Sequence, residues 1–235
     1  MKKKLIIVLI TISIITLFFY KHNTSSINSN IYSIIKQDIN TKYPGIGQEK
    51  KEKKDGYLTT FTTIPENKKT YIEYKQNGSS SWSNKDYFGG KMKDTGCGIT
   101  ALAIILSGYQ KNYTPEELRT KYYPVLKGEE IANELTNTFN ISNTGFFFDD
   151  YHLSDEYIIN HLKTNRPVLL CLWNKPNDNR WTKESHYMVL LAADDYDMVY
   201  VSNPNGLEND SKSSGWYNIS EITPYLAKAL YIETY

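Results

Sequence analysis

The chain has few of the residues on which most site chemistry depends. It contains two cysteines, Cys97 and Cys171, and four histidines. Two thiols exclude a disulfide-dense scaffold, and no cysteine or carboxylate pattern around the histidines implies a metal. There is no surplus of one charge: 27 Lys and Arg stand against 26 Asp and Glu, a formal net charge of +1. No basic run interleaves with aromatics as a strand-binding groove requires, so nucleic acid is not an expected partner. KDTGCG and GYQKNY lack the spacing of a phosphate loop, and no dinucleotide fingerprint is present. No cofactor and no metal are expected on these grounds.

What is present is ordinary for one globular domain. The 235 residues suffice for a single hydrophobic core, with 40% hydrophobic and 23% charged residues. The 20 tyrosines supply half-buried surface. Residues 1–22 stand apart. A lysine head, MKKK, precedes 16 uncharged residues, 5–20, and Lys21 and His22 close the run. That is the pattern of a signal peptide or a short membrane anchor, and it predicts a cell-surface or secreted protein. Without residues 1–21 the chain carries 23 basic and 26 acidic residues, a charge of −3. Residues 23–56, with the run GQEKKEKKDG, read as a polar and charged linker. The folded domain is expected over residues 57–235.

Within that domain, residues 57–64 and 70–76 read as short strands. Trp82 is expected to pack beneath the loop that follows. CGITALAIIL, from Cys97, is an apolar helix. Thr114 begins another helix, with Pro115 at its first position and two acids in its first turn. Residues 128–139 carry a weaker helical pattern, and Ser154 caps DEYIINHLK. The rhythm then turns to strands at 167–173, 186–192, 198–202 and 215–219. Ser220 reads as the cap of a terminal helix over 221–230. Helices first and an antiparallel sheet afterwards make an α+β domain.

Cys97 lies between Gly96 and Gly98 at a helix start. Unpaired backbone N–H groups and the helix dipole there favour a thiolate, which predicts a lowered pKa. The bare glycine flanks would let substrate backbone approach, and the Cys97 N–H could face an oxyanion. Cys171, inside PVLLCLW, reads as a small buried hydrophobe. A single bridge between the two is allowed by the even count, but their contexts suggest separate roles. His186 opens a strand straight after a polar loop, a rigid seat for a general base. Asn203 follows the end of the next strand and could hold the imidazole in one tautomer.

These motifs resemble the double-glycine leader peptidase-like family, the bacteriocin-processing branch of papain-like cysteine peptidases. DTGCGITALAIILSGYQKNYTPEEL looks like its nucleophile helix and second capped helix. RPVLLCLW and SHYMVLLAADDYDMVYVSNP look like its strand-proline, His-Tyr and Asp-Pro arrangement. The resemblance runs from about Tyr74 to Asn205 and implies a papain-like fold. It implies Cys97 as nucleophile, His186 as base and Asn203 as orienting residue. YKQNGSSSW resembles the glutamine segment ahead of the nucleophile, which implies Gln76 as an oxyanion-hole donor. Ile99 stands where the family commonly has proline. The implied activity is thiol-dependent hydrolysis of peptide bonds outside the membrane, on a peptide or small protein. The alternatives are a cell-wall peptide amidase or endopeptidase, and a non-catalytic exported binding module on the same fold.

Overall fold

A helix that is apolar on every side must be buried on every side. CGITALAIILSG is such a helix, and in the computed structural model every residue from Ile99 to Gly108 is buried. The structure describes residues 50–54, 57–64, 69–78, 80–176, 178, 180–205 and 214–235. All of them belong to one unit, Tyr43–Tyr235.

The strands are β1 (Lys50–Lys54), β2 (Tyr57–Ile64), β3 (Lys69–Ile72), β4 (Asp86–Tyr87), β5 (Gly90–Lys91), β6 (Asn143–Phe147), β7 (Val168–Trp173), β8 (Ser185–Ala193), β9 (Met198–Ser202), β10 (Gly215–Asn218) and β11 (Leu226–Ile232). The helices are α1 (Met92–Thr95), α2 (Cys97–Gly108), α3 (Pro115–Lys121), α4 (Gly128–Asn137) and α5 (Asp155–Leu162). A six-stranded sheet in the order β10-β9-β8-β7-β11-β6 forms the frame, and every pairing in it is antiparallel. The architecture is α+β, with helices packed against a multi-stranded antiparallel sheet.

Local chemistry sets the helix starts. The Thr114 hydroxyl accepts from the Glu117 N–H, and the Glu117 carboxylate accepts from the Thr114 N–H, a complete capping box. Ser154 accepts from the Tyr157 N–H at the start of α5. At the end of α2 the Tyr71 ring fills the space beside Gly108, where a Cβ would lie 2.1 Å from a ring carbon. One side of the sheet packs Val168, Leu170, Leu172, Met188 and Leu190 with Ile158, Ile159 and Leu162 of α5. Full burial of each such side chain contributes about 1.5–3 kcal/mol.

Three expectations are corrected. Residues 221–230 do not form a helix. Two 3-10 turns, Ile219–Glu221 and Thr223–Tyr225, lead into β11. Asn218, not Ser220, caps the first of them. Ala229, Leu230, Tyr231 and Ile232 are all buried, because β11 lies between β7 and β6. An apolar run buried on both faces has no period to tell strand from helix. Lys50–Lys54, expected within the linker, pairs with β2 at a sheet edge, a position that lysines suit. Finally, the expectation of a transmembrane helix is corrected: no helix among the described residues is long and apolar enough to cross a membrane. Residues 5–20, on which that expectation fell, lie outside the described residues, as does the rest of 1–49.

Candidate functional site

Cys97 is the first residue of α2. No side chain caps that helix end. The backbone N–H groups of Tyr187, Gly98 and Cys97 lie close enough to the Cys97 sulfur to favour its thiolate. The Tyr187 N–H is open to the sulfur because β8 outruns its neighbour. The pairing of β8 with β9 begins at Val189 opposite Ser202, so β9 ends before it reaches Tyr187. The sulfur therefore rests at the end of β8, on the residue that follows His186.

The pKa of Cys97 departs from the expectation. Burial pushes the thiol up, and the three N–H donors only partly offset it. Cys97 keeps some accessible surface as a residue, but its sulfur is closely packed by protein, and an isolated charge there is costly. The helix start supplies donors as expected, yet desolvation outweighs them. Gly96 is required by contact: a Cβ there would lie 2.5 Å from the Met92 carbonyl oxygen. Beside Gly98 lies the protein's own Tyr187 ring, 3.4 Å from where a Cβ would be, not open space for a substrate.

His186 and Asn203 meet. Both are buried, at 3% and 1% exposure, and His186 Nε2 lies 2.7 Å from Asn203 Oδ1. The Asn205 N–H donates to the same Oδ1 at 3.0 Å, which fixes which end of the Asn203 amide is oxygen. An oxygen can only accept, so Nε2 of His186 carries the proton. Nδ1 is then the basic nitrogen of the neutral ring.

Gln76 joins the same place through its backbone. Its N–H donates to the Pro204 carbonyl at 2.8 Å, one residue beyond Asn203. Its side-chain amide donates to the Lys93 carbonyl at 2.8 Å, in α1, four residues before Cys97. An amide NH2 has two hydrogens, and this bond uses one. Trp82 is buried as expected and donates its indole N–H to the Lys75 carbonyl at 2.7 Å, which holds the Gln76 segment in place.

Lys75 and Ser214 escaped the sequence reading. Lys75 Nζ donates to the Asn203 carbonyl at 2.7 Å and to Ser214 Oγ at 2.8 Å. Ser214 Oγ accepts from the Asn203 N–H at 3.1 Å. A lysine beside Gln76 is no signal by itself, since its partners lie 128 and 139 residues away. Tyr187 escaped as well, apart from its place after His186. Cys171 lies opposite Tyr187 in β7, and burial holds its thiol up at about 11. Both cysteines are free thiols. Among the described residues no group of three or more His, Cys, Asp or Glu side chains is placed to hold a metal ion.

Comparison with known proteins bears on this arrangement. A search of curated proteins finds no match. Among solved structures the chain is similar to a protein described as a C39-like peptidase from Bacillus anthracis. The two are 13% identical, the match covers 60% of this chain and 90% of that one, and the TM-score is 0.45. It is also similar to a double glycine motif protease from an AMS/PCAT transporter, solved with the leader peptide. There the identity is 16%, the coverage 59% and 84%, and the TM-score 0.38. The model of the Peptidase_C39 like family matches residues 70–223. That span is more than half of the chain and contains Gln76, Cys97, His186 and Asn203, and so this protein belongs to the Peptidase_C39 like family.

Proposed function

We propose that this protein is a papain-like thiol peptidase, related to the double-glycine leader peptidases, that cleaves amide bonds in peptides or small proteins outside the membrane. The observation that carries the reading is the buried His186–Asn203 hydrogen bond at the strand end whose next residue, Tyr187, brings its N–H near the Cys97 sulfur. The extracytoplasmic setting rests on the lysine-headed apolar N-terminus, and the peptidase unit is taken as residues 57–235.

In this mechanism the thiol stays protonated until it reacts, because burial disfavours a lone thiolate. His186 Nδ1 accepts the Cys97 proton, which leaves a neutral ion pair rather than a solitary charge. The sulfur attacks the substrate carbonyl carbon. The Cys97 N–H and the second hydrogen of the Gln76 amide stabilise the oxyanion. His186 passes the proton to the leaving nitrogen, the C–N bond breaks and a thioester remains. Water then attacks that carbonyl as His186 takes its proton. The C–S bond breaks, and Cys97 regains its hydrogen. Asn203 keeps the imidazole in its tautomer throughout. No cofactor enters any step.

The test is alkylation of the folded chain with iodoacetamide at neutral pH, followed by peptide-library cleavage. Cys97 is expected to be modified selectively, with that selectivity lost in His186→Ala. Cleavage is expected to vanish in Cys97→Ala. Equal, slow labelling of Cys97 in wild type and His186→Ala sinks the proposal. The raised thiol pKa favours a second reading, a non-catalytic binding module, and that labelling result would select it.

A further inference from the structure

We infer that Tyr187 is a positioning residue that links the start of α4 to the nucleophile, so that the Gly128 end of that helix helps to set where Cys97 sits. The inference rests on Cys97 being the nucleophile.

Four contacts of one side chain and its backbone carry it. The Tyr187 N–H lies near the Cys97 sulfur and favours its thiolate. The Tyr187 ring lies against Gly98, the second residue of α2, at 3.4 Å from where a Cβ would be. Its hydroxyl lies close enough to the Cys171 sulfur, across the β7–β8 pair, to favour that thiolate. That same hydroxyl occupies the place of a Gly128 side chain, 2.1 Å from the would-be Cβ, with Lys228 Nζ 2.9 Å from it. Gly128 leaves no room for a side chain beside this tyrosine, and Gly98 meets the ring at ordinary van der Waals distance.

The surroundings keep this seat rigid. Lys228, Cys171 and Tyr187 form a row across β11, β7 and β8. Lys228 Nζ pairs with Glu129 at 2.5 Å and lies over Phe146, at 4.4 Å from its ring centre, with the Phe148 and Tyr187 rings at 5.7 and 6.0 Å. Phe146 meets Tyr187 edge-on at 6.3 Å. The backbone of Tyr187 needs this support. It is paired to β7 on one side only, because β9 stops short of it. The packing of the ring beside Gly98, Gly128 and Phe146 fixes the N–H that the ladder leaves loose, and with it the place of the sulfur.

The experiment follows the rate of Cys97 alkylation against pH, with thermal melting as the check on folding. Tyr87, Tyr187 and Cys171 are the titratable groups that interact with Cys97, with Glu129, Glu130 and Lys228 behind them, and His186 precedes Tyr187 in the chain. Tyr187→Phe keeps the ring and is expected to stay within roughly threefold of wild type, because the packed volume hardly changes. Gly128→Ala drives a methyl into the hydroxyl and is expected to slow alkylation roughly tenfold and to move the pH profile. Adding Tyr187→Phe to Gly128→Ala removes the colliding oxygen and is expected to restore most of the rate and the original profile. A merely structural defect would worsen with the second substitution. Wild-type rate and profile in Gly128→Ala, or a double variant no faster than the single one, overturns the inference. If Gly128→Ala does not fold, Tyr187→Ala decides: slowed alkylation with a moved profile supports the inference, and a rate equal to Tyr187→Phe overturns it. Cys97 labelling unaffected by His186→Ala removes the parent reading and this inference with it, a result distinct from the others.

Discussion

Cys97 and Cys171 lie on either side of Tyr187, and the two regions treat a thiol differently. Both thiols are raised by burial. At Cys97 three backbone N–H groups oppose that rise, and the His186–Asn203 pair sits at the adjoining strand end. At Cys171 the opposing groups are the Lys228 charge and the Tyr187 hydroxyl. The thiol there stays at about 11. Burial raises both thiols, so burial alone does not distinguish them. On the mechanism proposed above, the distinction would come from His186 taking the Cys97 proton without leaving a lone charge.

The largest expected effect breaks the comparison outright. His186→Ala should bring Cys97 alkylation at neutral pH down to that of Cys171, a fall of roughly 100-fold, in line with the loss of a general base. Mass-spectrometric site occupancy over time measures it. Asn203→Ala should cost less, roughly tenfold to 100-fold, since the base remains but loses the partner that sets its tautomer. Asn203→Asp should keep most of the rate, because the Asn205 N–H can serve a carboxylate equally well.

The smaller effects appear in stability. Gly108→Ala places a methyl 2.1 Å from the Tyr71 ring at the far end of α2. It should lower unfolding stability by about 1–3 kcal/mol, read as a drop in melting temperature, with the pH dependence of Cys97 labelling unchanged. Cys171 should contribute least, and only at alkaline pH. Its folded value of about 11 lies above the ordinary 9.0, so the fold prefers the protonated thiol. The unfolded chain gives up that proton first, and stability should fall as the pH rises from 9 toward 11. Cys171→Ala should flatten part of that decline in a series of melts.

Much of the fold is legible in the residues themselves. Thr114, Pro115 and Glu117 announce α3, and Ser154 announces α5, because capping depends on neighbours three residues apart. The strands at 198–202 and 57–64 match β9 and β2 residue for residue. β11 was illegible because its burial on both faces comes from strands far away in the chain. The site divides in the same way. Cys97, His186 and Asn203 each carry a local mark: a glycine-flanked helix start, a strand opening and a turn before proline. Gln76 has no such mark and entered only by resemblance. Tyr187 shows its part only once Gly98 and Gly128 are seen against it.

The sequence by itself determined an α+β chain with an apolar helix headed by Cys97, since composition, caps and periodicity act over a few residues. Only the tertiary structure decided what that cysteine experiences. Burial is a property of everything packed around an atom, and it reversed the direction expected from the helix start. The His186–Asn203 bond, the approach of the Tyr187 N–H to the sulfur and the seat of that tyrosine against Gly128 all join residues distant in the chain. Their energies depend on contact and desolvation, which no local pattern encodes.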